Sequence, residues 1–187
     1  LVRWAMVFSE VFSHAVDLLS GSKNYILKHV VQLYKEYDLF RDRSPPYPCI
    51  FDLIELIKNE KVNFVRKTSN YRDTVLNRLE PLKTVTGPIF DCSQGYNLVD
   101  LMNRDVVVFE FGGLNRDIQN FIQEIMFAWV YEHLFQNGER NGELRLLLIW
   151  DEAKQAFSYK KEQSDAAGIP EIDDLTARAR EFGLGIM

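Results

Sequence analysis

The chain has 187 residues, the length of one domain or of a large piece of one. Its composition, 47% hydrophobic and 13% aromatic, excludes a disordered chain and predicts a folded domain with a sizeable core. The net charge of −5 disfavours a protein that coats nucleic acid electrostatically, although a ring-shaped motor that grips DNA with a few pore loops is compatible with it.

The first half of the sequence predicts helices. Apolar residues recur at helical spacing over Leu1–Leu19, and Ser22 is placed to cap a second helix. A short helix is predicted over Ile50–Ile57 and another over Asn70–Leu82. We therefore predict that residues 1–86 form a mainly helical subdomain.

The second half, residues 87–187, predicts an α/β arrangement. The β-favouring run Val106–Phe111 is typical of a strand that is covered on both faces, and Asn115 is placed to cap the long helix that follows. Leu144–Trp150 predicts a second buried strand. A strand, a helix and a strand in this order predict a right-handed βαβ unit, in which Val106–Phe111 runs alongside Leu144–Trp150.

The end of the sequence predicts one more helix and one more strand. Pro170 suits the first position of that helix, and Gly183 suits a left-handed residue that ends it. The chain begins at Leu1 and stops at Met187, on what we interpret as the first residues of a strand. We expect it to be part of a longer protein.

The cysteines and the apolar runs indicate the setting of the protein. Two cysteines, Cys49 and Cys92, are too few for a disulfide framework and favour a reducing, cytoplasmic location. No apolar run approaches the ~18 residues that a membrane-spanning helix needs, so no transmembrane segment is expected.

Two acidic residues follow the Leu144–Trp150 segment directly. Asp151 and Glu152 would lie at the carboxyl end of a strand, where open α/β sheets bind ligands. The first acid can hold Mg²⁺ through water, and the second can orient a water that attacks a γ-phosphate. The structural alternative is a turn at the strand end with two solvated acids.

Three segments in order carry a resemblance to a known family. Val106–Leu114, Leu146–Phe157 and Ala179–Ile186 resemble the HerA/FtsK-type P-loop ATPases, which include DNA-pumping hexamers and the ATPases of conjugation and type IV secretion. This resemblance implies a RecA-like P-loop NTPase core with a partial parallel sheet and a helical insertion ahead of it. It also implies ATP and Mg²⁺ as ligands, a hexameric ring, and DNA as a partner.

The resemblance assigns roles to individual residues. It implies that Asp151 is the Mg²⁺-water ligand, that Glu152 is the catalytic acid, and that Arg180 is an arginine finger on the nucleotide of the neighbouring subunit. Arg180 also has a structural interpretation, because a basic residue in the last turn of a helix complements the helix dipole.

Two motifs of the family are missing from the sequence. No Gly-x-x-x-x-Gly-Lys-Ser/Thr loop occurs, and the glutamine expected after the final strand would lie beyond Met187. Without backbone donors and the lysine, the chain alone is expected to bind ATP poorly and to be inactive. Two alternatives therefore stay open: a non-catalytic, helix-rich interaction module on a degenerate α/β scaffold, and a fragment of a superfamily 2 helicase.

Other polar residues have weaker functional interpretations. Glu110, inside a predicted buried strand, would face solvent, pair with an arginine or, less readily, act in catalysis. The histidines His14, His29 and His133 are interpreted as satisfied surface or interface residues. Three lysines after the paired acids could line a DNA channel, although a solvated loop is favoured: Lys154, Lys160 and Lys161.

Overall fold

The structure, a computed structural model, describes residues 1–61, 66–137, 142–151 and 176–187. The chain forms two compact units. The first contains Leu1–Ser9 and Leu18–Leu114, and the second contains Glu10–Asp17 and Asn115–Met187. Helix α1, Val2–Ala15, therefore contributes its first part to one unit and its second part to the other.

The first unit is built from helices. Helices α2, α3 and α4 pack against one another and enclose a core of aliphatic side chains. A 3₁₀ turn and a short helix, α5, follow them. Their bounds are Ser20–Glu36 for α2, Ile50–Asn59 for α3, Arg66–Thr86 for α4, Gly87–Ile89 for the 3₁₀ turn and Leu98–Met102 for α5. The predicted helices of this region are confirmed.

The ends of these helices agree only in part with the capping residues that the sequence suggests. Cys49 is the N-cap residue of α3, and its backbone N–H donates to the Asp52 carboxylate at 2.7 Å, as in a capping box. Helix α2 begins at Ser20 rather than after Ser22, and Leu19 makes no side-chain cap bond there. Helix α4 continues through Pro81, so it is longer than the predicted segment.

A polar cluster joins α2 to the end of α3. The Glu60 carboxylate accepts hydrogen bonds from Lys28 Nζ at 2.8 Å and from the Tyr25 hydroxyl, and His29 Nε2 lies 3.3 Å from Glu60 Oε2 without hydrogen-bond geometry. Partial burial raises the pKa of the Glu60 carboxyl, but the hydrogen bonds from Lys28 and Tyr25 hold that pKa below its ordinary value. Burial and the bond to Glu60 raise the pKa of the Tyr25 hydroxyl. The ionised form of Glu60 is therefore the one that this fold stabilises.

This cluster predicts a pH dependence of stability. A carboxyl whose pKa is lower in the folded state stabilises the fold above its unfolded pKa, and the contribution is lost as the pH falls through the folded value. We expect Glu60→Gln to lower the free energy of unfolding at neutral pH by about 1 kcal/mol or less, because solvent screens a partly exposed group. The variant should also lose less stability than the wild type on acidification below the ordinary glutamate pKa.

Urea unfolding at a series of pH values measures both effects. Glu80→Gln is the matched control, since Glu80 is a surface residue that pairs with Lys58 on the same unit. Parallel pH profiles for the wild type and Glu60→Gln would contradict the prediction.

The second unit combines one long helix with a small parallel sheet. Helix α6 spans Arg116–Asn137, strand β1 spans Leu146–Leu148 and strand β2 spans Leu184–Ile186. A helical turn at 176–179 and a 3₁₀ turn at Arg180–Phe182 lead into β2. The two strands are parallel, and Leu146, Leu147 and Leu148 lie opposite Leu184, Gly185 and Ile186.

Two local predictions are confirmed in this unit. Asn115 caps α6, because its Oδ1 accepts a hydrogen bond from the Ile118 backbone N–H at 3.0 Å. Gly183 ends the last helical turn with φ of 79°, and β2 begins at the next residue. Both signals act within a few residues, so they did not depend on the rest of the fold.

The second part of α1 packs on α6. The rings of Phe12 and Phe121 meet edge to face, with their centroids 5.3 Å apart. Near this ring contact, His14 Nδ1 lies 2.8 Å from Glu124 Oε2, and Glu124 is fully buried. These contacts fix the middle of α6, the part of the helix that faces the end of β1.

The predicted fold class is wrong for the described residues. They are mostly helical, and their only sheet is the β1–β2 pair, so they do not form the partial parallel sheet of a RecA-like P-loop NTPase core. Val106–Phe111 forms no strand, and Val106 and Val108 are 79% and 75% exposed. The predicted βαβ unit is therefore absent, and Glu110 is an exposed residue rather than one buried in a strand.

The physical reason is that β propensity needs a partner. Valine and phenylalanine favour strands because they pack on a half-buried pleated surface, and not through a backbone preference of their own. Val106–Phe111 belongs to the first unit, whose described residues contain no other strand to pair with. The burial predicted for Leu144–Trp150 is also wrong in part, because Leu144 and Ile149 are each 68% exposed.

Candidate functional site

Asp151 lies just beyond the carboxyl end of β1. Its side chain is exposed, and the residue before it, Trp150, is buried with an exposure of 8%. The Trp150 backbone N–H donates to the Met187 carbonyl at 2.8 Å, and the Met187 N–H donates to the Leu148 carbonyl at 3.0 Å. The pairing of the two segments thus continues past the ladder to Trp150, the residue before Asp151. This pairing presents the Asp151 carboxylate at the carboxyl edge of the sheet.

The Trp150 side chain ties this edge to helix α6. Its indole Nε1–H donates to Gln123 Oε1 at 2.9 Å, and its ring lies 6.2 Å from that of Phe127, centroid to centroid. Gln123 and Phe127 are one turn apart on the helix, so both face the same neighbour. Neither residue was identified from the sequence. The sequence offered only one sign of Gln123, a polar residue next to apolar positions of the predicted helix.

Arg180 lies at the other end of the sheet. It begins the 3₁₀ turn before β2, its side chain is exposed, and within the described parts of the chain no carboxylate pairs with it. Arg180 lines an open groove of about 500 Å³ together with Gly142, Leu144 and Thr176. The guanidinium is therefore free to contact a group that is not part of the described fold.

Gly183 allows this turn to approach β1. Its carbonyl accepts hydrogen bonds from the backbone N–H groups of Arg145 at 2.8 Å and Leu146 at 3.1 Å. A Cβ at Gly183 would overlap the Glu143 carbonyl oxygen and lie 2.9 Å from Arg145 Cγ. With φ of 79°, this position requires glycine for both conformational and steric reasons.

The register places Asp151 and Arg180 at opposite edges. Backbone hydrogen bonds from Gly183 to Met187 span the paired region, which is about 13 Å long at the usual rise of a strand. Arg180 precedes this region, and Asp151 follows it on the partner strand. One copy of the chain therefore does not bring the two side chains to a common site.

Several predicted site residues lie outside the described residues. Glu152, the predicted catalytic acid, is one of them, and so are the three lysines at 154, 160 and 161. Among the described residues, no group of three histidine, cysteine, aspartate or glutamate side chains could hold a metal ion. Asp151 supplies one exposed carboxylate, which would hold a Mg²⁺ ion through water molecules of that ion.

The comparisons with known proteins add no relative. No family model, no curated protein and no solved structure matches the chain. The resemblance to the HerA/FtsK-type ATPases stays a prediction from the motifs quoted above. In the described part of the chain, no helix combines the length and the apolar character needed to cross a membrane.

Proposed function

We propose that this chain is part of an ATP-hydrolysing motor of the HerA/FtsK type, one that translocates DNA or powers conjugative or type IV transfer. The observation that carries the proposal is the pairing of β1 with β2. The hydrophobic strand β1, which ends three residues before Asp151, runs parallel to the strand that follows Arg180, so an acid and an arginine lie at opposite edges of one sheet. Such an arrangement suits a site that is shared between neighbouring subunits.

In the proposed site, each residue has one task. Asp151 would hold Mg²⁺ through its waters, and Glu152 would orient the water that attacks the γ-phosphate. Arg180 reaches the nucleotide of the next subunit, where its charge stabilises the charge that develops on the transferred phosphoryl group. Since hydrolysis then needs two subunits, activity depends on assembly of a ring, which we propose to be hexameric.

The proposal rests on the β1–β2 pair and on the motifs, and not on Val106–Phe111, which forms no strand. The sequence contains no phosphate-binding loop, so this loop has to come from a part of the protein outside these 187 residues. We expect residues 1–187 alone to be inactive.

The test is an ATPase assay on a form of the protein that includes such a loop. We expect Glu152→Gln to lower kcat by about 10²-fold or more, because it removes the group that orients or deprotonates the attacking water. Asp105→Asn, at an exposed aspartate of the other unit, is the matched control and should keep full activity. Unchanged turnover in Glu152→Gln would overturn the assignment of the site.

A second candidate is a non-catalytic, helix-rich interaction module. It is favoured by the mostly helical structure of the described residues and by the missing phosphate-binding loop. The same assay separates the two candidates, because a module hydrolyses no ATP in any form of the protein.

A further inference from the structure

We propose that Gln123 is a positioning residue for Asp151: through the Trp150 indole it fixes the carboxyl end of β1, and with it the place of the carboxylate at the sheet edge. This inference rests on the proposed function, because it gives Gln123 a role in presenting the Mg²⁺ ligand. Gln123 itself touches neither the metal nor the nucleotide.

The contacts of Trp150 single it out as the anchor of this edge. Of residues 149 to 151, Trp150 alone is buried, whereas Ile149 is 68% exposed and Asp151 is exposed. The β1 ladder ends at Leu148, and one further backbone hydrogen bond, from the Trp150 N–H to the Met187 carbonyl, ends the pairing at the residue before Asp151. Asp151 is therefore held through its covalent neighbour, whose backbone bonds to Met187 and whose side chain contacts Gln123 and Phe127.

The contacts of the indole with Phe127 and Gln123 do different things. Phe127 supplies an apolar surface, which fills space but sets no single orientation of the ring in its plane. The hydrogen bond to Gln123 fixes one point on that ring. A buried indole N–H without a partner costs about 1–3 kcal/mol, so loss of the acceptor favours conformations in which Trp150 turns toward water. Asp151 would move with it.

Helix α6 is a firm support for this bond. Gln123 stands between Phe121 and Glu124, the two residues that α1 contacts through Phe12 and His14. The amide is therefore presented by a part of the helix that is packed on its other side. A chain of contacts runs from α1 through α6 to Trp150 and ends at Asp151.

The first experiment measures the bond itself, in residues 1–187. We expect the indole N–H of Trp150 to exchange with solvent about tenfold faster in Gln123→Met, which has similar length but no amide oxygen. Gln123→Glu keeps an acceptor and should keep the protection. Gln136→Met, at an exposed position of the same helix, is the matched control. Trp150→Phe identifies the resonance. Equal protection in the wild type and Gln123→Met overturns the proposal.

The second experiment measures the consequence for Asp151, in the form of the protein that hydrolyses ATP. We expect Gln123→Met to lower kcat by about 10- to 100-fold with little change in the KM for Mg·ATP, because small misplacement of a reacting group has this cost. Gln123→Glu should keep the wild-type kcat. Both variants should unfold at the same urea concentration as the wild type, so that a difference in kcat between them does not come from a loss of stability.

The outcomes separate this inference from the function on which it rests. Faster indole exchange with unchanged kcat overturns the positioning role and leaves the proposed ATPase intact. Absence of ATP hydrolysis in the wild-type form that includes a phosphate-binding loop overturns both, whatever the indole exchange shows. Loss of protection together with loss of kcat, both restored in Gln123→Glu, supports the inference.

Discussion

An equimolar mixture of Asp151→Ala and Arg180→Ala is expected to hydrolyse ATP at about one quarter of the wild-type rate, although each variant alone falls by about 10³-fold. The reason lies in the register of β1 and β2, which places the two residues at opposite edges of the sheet. If the site takes Asp151 from one subunit and Arg180 from the next, a ring of mixed subunits contains some interfaces with both residues intact. Steady-state ATPase measurements on the mixture check this result.

The expected rate of one quarter follows from random assembly of the two variants in a closed ring. At each interface, one subunit has an intact Asp151 with a chance of about one half, and its neighbour has an intact Arg180 with the same chance. About one interface in four is therefore active. A mixture of Asp151→Ala with the double variant is the control and should stay inactive. A mixture that shows no rescue contradicts a site shared between subunits.

The helices were predictable because their signals are local. Asn115 marks the start of α6, and the apolar residues that recur after it predict the helix within one or two turns. They predict its buried face only in part, because Phe127 is buried there and Ile122 is not fully buried. Gly183 likewise marks the end of a turn and the start of β2. In each case the residues that decide the conformation lie next to one another in the sequence.

The conformation of Val106–Phe111, which forms no strand, was not predictable in the same way. Its side chains favour a sheet, but a strand requires a backbone partner, and nothing in the sequence of that segment says whether one is within reach. The polar contact between α1 and α6 could not be predicted either. His14 pairs with Glu124 across 110 positions, and no pattern in either helix points to the other.

The candidate site was predictable in part. Asp151 follows a hydrophobic run, and its position at the end of β1 agrees with that pattern. The anchor of this edge was not found, because Gln123 and Trp150 are 27 positions apart and belong to different elements. The sequence thus indicates Asp151 as a candidate for contact with a ligand, while the residues that hold it in place depend on packing.

Removal of one partner from the pair of His14 and Glu124 is expected to destabilise the fold. Glu124 is 0% exposed, its Oε2 pairs with His14 Nδ1 at 2.8 Å, and its Oε1 has no hydrogen-bond partner among the described residues. We expect His14→Ala to lower the free energy of unfolding by about 1–3 kcal/mol, because it leaves a buried polar side chain without its hydrogen-bond partner. Urea unfolding of the variant and the wild type measures the difference.

Two further variants test whether the cost comes from the unpaired polar group. The double variant His14→Leu with Glu124→Leu should recover most of the loss, since apolar groups of similar shape can replace both partners of a buried hydrogen bond with little cost. Lys58→Ala, which breaks an exposed pair with Glu80, should leave the free energy of unfolding nearly unchanged. If the double variant were as unstable as His14→Ala, the loss would come from packing at α1 and α6 rather than from the unpaired Glu124 side chain.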